Sequence, residues 1–282
     1  MKRILLAGAS GQLGRGVIAE LKQQGYVVRA LTREAAKLRD TGADEIHEAD
    51  LADTRRLEGA AAQCDAVISC AGASMDMNTW RDRRTFNEID WQGNLNLLTE
   101  TRRARAGKFV YVSLAGGERL RQLEYADAHE RFVESLRASG LAYTVVRPTG
   151  FFSFMLEILR YAEKGAGLLL GDGQCLTNPI HEGDVARACV ESLAREAADF
   201  PIGGPETFTR RAITELAFAT IGQPARLLPL PPGVFRAMVS PLRLVNPRIH
   251  ALMAFGAAIT QVNCIAPAYG RQRLSDYFRK AR

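Results

Sequence analysis

The feature that most constrains this chain is a glycine-punctuated turn close to its start. Lys2 to Ala7 reads as a short buried-type strand, and Gly8, Gly11 and Gly14 follow at intervals of three. Leu13, Val17 and Leu21 then recur every four residues, the spacing of one helix face. Each glycine answers a separate demand. The first lets the chain leave a strand in a tight turn, the second lets backbone N–H groups approach a phosphate, and the third lets the new helix pack close to the strand. A helix beginning there offers unpaired N–H donors and the positive end of its dipole to an anion. The stretch from Gly8 through Ser10, Gly11, Gln12, Leu13 and Gly14 is therefore the candidate phosphate cradle.

Further strands are expected at Tyr26–Leu31, Asp44–Glu48, Asp65–Cys70, Lys108–Val112 and Ala142–Val146. Between them the pattern predicts helices at Asp53–Ala62, with Asp53 as N-cap, at Asn87–Ala106 closed by Gly107, and over most of Arg119–Ser139. Strands alternating with helices imply an α/β protein with a Rossmann-type, doubly wound parallel sheet, whose ligands bind at the carboxyl ends of the strands. Gly8, Arg33, Asp50, Gly72, Ser113 and Pro148 all fall at such ends.

Their chemistry suits a dinucleotide. An acid at the end of the second strand would bond the 2′-hydroxyl of NAD, whereas Arg33 suits a 2′-phosphate, so NADP is expected in preference to NAD. Asp50, followed by Leu51, could bond an adenine amino group or serve only as a loop acid. Ala71 and Gly72 are small enough for a ribose to lie against the backbone. The loop from Ser74 to Arg84 has a length that invites a substrate-side role, and disorder fits it as well.

Beyond Phe151 the regular alternation stops. Helices are expected at Ser153–Glu163, from Asp184 as cap to Arg195, from Thr209 to Ile221, near Val234–Leu244 and Arg248–Thr260, and at Leu274–Lys280, with a turn at Phe200–Pro205. This divides the chain into a dinucleotide-binding domain, 1–150, and a smaller, mostly helical substrate-side region, 151–282, expected to form one integrated unit with it.

Of 282 residues, 47% are hydrophobic and 24% charged, which is ordinary for a globular protein with a sizeable core. The net charge of +6 comes from scattered arginines without interleaved aromatics, so nucleic-acid binding is not expected. Five dispersed cysteines and four histidines without ligand spacing point to reduced thiols and no metal site. With no signal peptide and no apolar run of membrane-spanning length, a cytoplasmic monomer or homodimer is expected.

Several motifs together resemble the short-chain dehydrogenase/reductase superfamily in its atypical, NmrA-like branch. They are Gly8–Gly14, Ala30–Arg33, Val110–Ser113, Ser139–Pro148 and Asn178–Ala186. The likeness covers most of the chain to about Gly222. It implies a serine at the end of the fifth strand, here Ser113, beside a tyrosine and a lysine four residues apart. The tyrosine acts as general acid or base, while the lysine lowers its pKa and holds the nicotinamide ribose. Tyr125 is present, but His129 stands where the lysine would be. A neutral imidazole could bond the ribose yet would depress the tyrosine pKa less. The Ser113, Tyr125 and His129 set is thus either a modified catalytic site or only the lining of a cofactor pocket. Two functions follow: an NADP-dependent oxidoreductase acting on a small carbonyl, alcohol or alkene, or an NADP-binding redox sensor or assembly protein that turns nothing over. A sugar-nucleotide epimerase is a weaker third, since those relatives usually keep the lysine.

Overall fold

The computed structural model describes residues 1–73, 75, 80, 82–196 and 198–282. Most of the expected Ser74–Arg84 loop therefore lies outside the described residues. The chain divides into two compact units, one of residues 1–147 with 185–200, the other of 148–184 with 201–282.

The first unit is built on parallel strands β1 (Arg3–Ala7), β2 (Val27–Thr32), β3 (Glu45–Glu48), β4 (Ala66–Ser69), β5 (Lys108–Val112) and β6 (Ala142–Pro148). Their order is β3-β2-β1-β4-β5-β6, with Asp199–Ile202 added beyond β6 as a seventh strand. That last strand replaces the turn expected at Phe200–Pro205. Pro201 hides it from a sequence pattern, and a sheet edge is where a proline can be accommodated. Leu6 pairs with Ala30 on one side and Ile68 on the other, so the order reverses between β1 and β4. Leu5, Leu6, Val67, Ile68, Phe109 and Val110 are fully buried, as strands covered on both faces require.

Helix α1 (Gln12–Gln23) buries Val17, Ile18 and Leu21. Helix α2 is only Thr54–Leu57: Asp53 caps it as expected, accepting the Arg55 and Arg56 N–H groups, but Gly59 at positive φ turns the chain before Ala62, and Gln63 at positive φ follows just after it. The expected Asn87–Ala106 helix starts π-wound over Asn87–Gly93 and becomes α3 (Asn94–Arg103). Its polar residues explain the wide turn. The Asn94 amide donates to the Asp90 and Ala71 carbonyls at 2.9 and 3.1 Å, competing with the helical ladder. Arg105 at φ 58, not Gly107, makes the left-handed exit. The Arg119–Ser139 segment is likewise divided, into a 3-10 turn at Gly117–Leu120 and α4 (Glu124–Arg137), which buries Ala128, Phe132 and Leu136 at four-residue spacing.

The second unit packs helices Phe152–Glu163, Arg210–Ile221 and Leu274–Ala281 around Phe152, Leu159, Phe218 and Phe278. Two small strand pairs accompany them, Leu176–Thr177 with Phe208–Thr209 and Gly167–Leu170 with Leu227–Leu230. The expected long helix near Val234–Leu244 is split into Pro232–Val239 and Leu242–Val245. Asp184 lies inside the Glu182–Glu191 helix instead of capping it, and its carboxylate accepts the Arg271 and Gln272 N–H groups.

Candidate functional site

The reversal between β1 and β4 opens a cleft of about 270 Å³ at the carboxyl ends of the strands. Gly8, Ser10 and Gly11 line it from the glycine turn. Thr32 and Arg33 line it from the end of β2, Asp50 and Leu51 from β3, Cys70 to Ala73 from β4, and Arg84 and Ile89 enter from later in the chain.

The three glycines have separable causes. Gly8 has φ +76, and a Cβ there would lie 2.6 Å from the Cys70 carbonyl. A Cβ on Gly14 would come within 2.2 Å of the Gly8 carbonyl oxygen, so the helix can pack on the turn only without a side chain. Gly11 is different: its nearest neighbour, the same oxygen, would be at an ordinary 3.4 Å, and Gly11 faces the cleft. Nothing in the described fold requires glycine there, while a ligand pressed against the backbone would. The start of α1 also lacks any side-chain cap, leaving its first-turn donors to an incoming anion. This cradle fits a dinucleotide phosphate.

Arginines organise the rest of the cleft. Arg15 bonds the Ser10 carbonyl at 3.3 Å and the Lys37 carbonyl at 2.6 Å, tying the glycine turn to the segment that follows Arg33. Arg33 is about half exposed, with Asp82 3.8 Å away. Arg84 spans Asp82 and Asp50, the latter at 3.0 Å. Asp50 also accepts the Ala52 N–H at 3.0 Å, so both its oxygens have protein partners. On the β4 side a Cβ on Gly72 would meet Asp90 Oδ1 at 2.6 Å, and Asp90 Oδ2 accepts the Ala73 N–H at 2.9 Å. The cleft wall at Gly72–Ala73 is thus held by a carboxylate from the π-wound turn.

Asp90 also faces the expected catalytic residues. His129 is buried, with Nδ1 2.6 Å from the Tyr111 hydroxyl and Nε2 3.2 Å from Asp90 Oδ1, close but off line for a hydrogen bond. One turn away on α4, the half-buried Tyr125 ring packs edge-on against His129 at 4.8 Å and Phe86 at 4.9 Å. Burial, and then the Asp90 charge, pushes the Tyr125 phenol above the ordinary tyrosine range. Ser113 follows β5 and is buried, and its hydroxyl has no hydrogen-bond partner among the described residues.

A family model described as NAD(P)H-binding matches residues 8–196. The chain belongs to that NAD(P)H-binding family. It is 28% identical to the chloroplastic divinyl chlorophyllide a 8-vinyl-reductase of Oryza sativa, over 90% of this chain and 68% of that one. It is 27% identical to a photosystem II assembly factor of Synechocystis, over 95% and 84%. Among solved structures, the NADPH-dependent quinone oxidoreductase of Escherichia coli complexed with NADPH aligns over 99% of both chains, with TM-score 0.74 and 17% identity. The Citrobacter triphenylmethane reductase complexed with NADP(H) aligns over 98% and 95%, with TM-score 0.74 and 18% identity.

Within this family member the cleft brings together Gly8, Ser10, Gly11, Arg33, Asp50, Leu51, Ala71 and Gly72 of the sequence-expected set. Gln12, Leu13 and Gly14 form the first turn of α1 beside it. Ser113, Tyr125 and His129 are not among the cleft lining, and Pro148 ends β6 in the second unit. Arg84, Ile89 and Asp90 were not singled out as site residues by sequence. Asp90 carried a faint signal, a carboxylate on an otherwise small and amide-bearing helix stretch with Gly93, Asn94 and Asn96. Arg84 carried none beyond its arginine-rich loop.

Proposed function

We propose that the protein is an NADP-dependent reductase, acting on a small carbonyl or activated alkene. Gly8 to Gly14 would hold the pyrophosphate, Arg33 the 2′-phosphate, Asp50 and Leu51 the adenine edge, and Ala71 and Gly72 the ribose. When bound, the reduced nicotinamide supplies the hydride. The observation that supports a catalytic role is the Ser113 hydroxyl, buried at the end of β5 without a hydrogen-bond partner among the described residues. Such a group costs stability unless something arriving bonds it, and a substrate oxygen is the natural acceptor.

We assign Tyr125 the proton-donor role in reduction: its raised pKa keeps the phenol protonated at neutral pH. A developing alkoxide is far more basic, and Tyr125 can still give it a proton. His129 would act through Tyr125 by fixing its ring. The test is a panel of carbonyls, quinones and activated alkenes followed by loss of reduced-nicotinamide absorbance. NADPH-driven reduction near neutral pH should exceed the reverse oxidation, and Tyr125→Phe should abolish reduction of carbonyls. Alcohol oxidation of equal speed, or carbonyl turnover surviving Tyr125→Phe, would overturn the assignment.

A second reading is an NADP-binding sensor or assembly protein. Two things favour it: His129 is engaged by Tyr111 inside the fold, and one relative is a photosystem II assembly factor. Tight NADPH binding with no turnover on the whole panel would select it.

A further inference from the structure

We propose that the second unit carries a docking face for an anionic lipid surface, formed by the helices Pro232–Val239 and Leu242–Val245. The first observation is apolar exposure. Met238 is 66% exposed and Leu244 90%, and Val234 and Val245 are also exposed. In the first helix Phe235 and Val239 turn inward, with Val239 at 5% exposure, so Val234 and Met238, one turn apart, lie on the outward side.

The second observation is charge. From residue 216 to residue 275, between Glu215 and Asp276, the chain contains no Asp or Glu. Arg236 and Arg243 are exposed within the same helices and have no ion-pair partner among the described residues. Elsewhere in the fold most arginines that stand near a carboxylate pair with it, as Arg121 does with Asp127 and Glu134. Here no acid is within reach by sequence.

The mounting is firm. The helix Pro247–Ile259 packs against both outer helices. Its start is fixed by buried Asn246, whose Oδ1 accepts the Ile249 N–H at 3.1 Å. Aliphatic and thioether side chains beside unpaired guanidinium groups fit the boundary between headgroups and acyl chains: the apolar groups enter and the arginines meet anionic headgroups. A second copy is a poorer occupant, because a two-fold contact would bring Arg236 and Arg243 toward their own equivalents. No helix among the described residues is long and apolar enough to cross a membrane, so the contact is peripheral.

Cosedimentation of the full chain with phosphatidylcholine vesicles, with and without phosphatidylglycerol, tests this. Binding should require the anionic lipid and weaken with salt. Arg236→Gln and Arg243→Gln should each lower vesicle affinity roughly fivefold, and Val234→Asp with Met238→Asp should abolish binding. NADPH titration and the far-ultraviolet spectrum should be unchanged in all three variants, since every site is exposed. Failure to bind anionic vesicles, equal binding to neutral ones, or binding retained in the double aspartate variant would overturn the proposal. So would a concentration-dependent dimer that the same substitutions dissociate, which would assign the face to a second copy.

Discussion

His129 Nδ1 lies 2.6 Å from the Tyr111 hydroxyl, and both side chains are buried. Burial above all, with Asp90, Tyr125 and Glu130 nearby, pushes the Tyr111 phenol well above the ordinary range. The hydroxyl therefore keeps its proton and can donate it to Nδ1; that tautomer of the imidazole carries its hydrogen on Nε2, on the Asp90 side. The residue standing in place of the expected lysine is committed to the core. His129→Leu should cost about 1–3 kcal/mol, because a buried hydroxyl loses its acceptor. Adding Tyr111→Phe should recover part of that loss, which a double-mutant cycle by urea unfolding would measure. The sign with pH is also set. A tyrosine whose folded pKa exceeds its unfolded value of about 10 contributes fully below pH 10, and the contribution is lost as pH rises above it. Tyr111→Phe should flatten the alkaline fall in stability.

The glycine turn gives a cleaner separation of folding from binding. Gly14→Ala places a methyl 2.2 Å from the Gly8 carbonyl oxygen, so the helix must shift off its strand. Its melting temperature should fall sharply. Gly11→Ala meets only a 3.4 Å contact and should melt nearly as the wild type does. If a dinucleotide uses the open side of Gly11, that same variant should bind NADPH at least tenfold more weakly in a fluorescence titration. Normal binding by Gly11→Ala would show that no ligand presses on that position.

Why this turn was legible, and other parts were not, has a physical reason. Strands buried on both faces, such as Ile4–Ala7 and Ala66–Ser69, read as continuous apolar runs. The glycines sit where local backbone geometry demands them, so local sequence carries the signal. The π-wound start of the Asn87 helix depends on Asn94 reaching the Ala71 carbonyl across the fold, which no periodicity encodes. The same holds for Asp90, which meets His129 and Gly72 only after three elements have packed. Arg84 reaches Asp50 from a segment with no pattern at all. Sequence therefore disclosed the strand, glycine turn and helix, and hid the side chains that pack around them.

Arg33 is the cofactor-selectivity test. Its guanidinium is half exposed beside the cleft, and its nearest carboxylate, Asp82, is engaged more closely by Arg84. Arg33 is thus available to a 2′-phosphate. Arg33→Ala should weaken NADPH binding by about 10- to 100-fold, the worth of one charge-assisted contact. NADH binding should change by less than about threefold, since NADH lacks that phosphate. Equal losses for both would remove Arg33 from the selectivity argument, and competition titrations with each dinucleotide would decide.

Arg147, near the end of β6, makes the strongest stability prediction. It is 8% exposed and forks onto Glu130 at 2.6 and 3.1 Å, while its Nε bonds Asp199 at 2.8 Å. Glu130→Ala removes the buried partner and leaves a guanidinium with half its compensation, which should cost about 3–5 kcal/mol. Glu130→Gln keeps one acceptor and should cost less. Asp199 supplies the pH dependence. Burial would raise its carboxyl, but Arg147 and Arg137 together hold it below the usual range. A group with a depressed folded pKa contributes stability above its unfolded value of about 3.9 and loses it as pH falls through the folded one. Acid unfolding of the wild type should therefore steepen below pH ~4, and Asp199→Asn should make that limb shallower. An unchanged acid limb in Asp199→Asn would place the acid-labile step elsewhere in the fold.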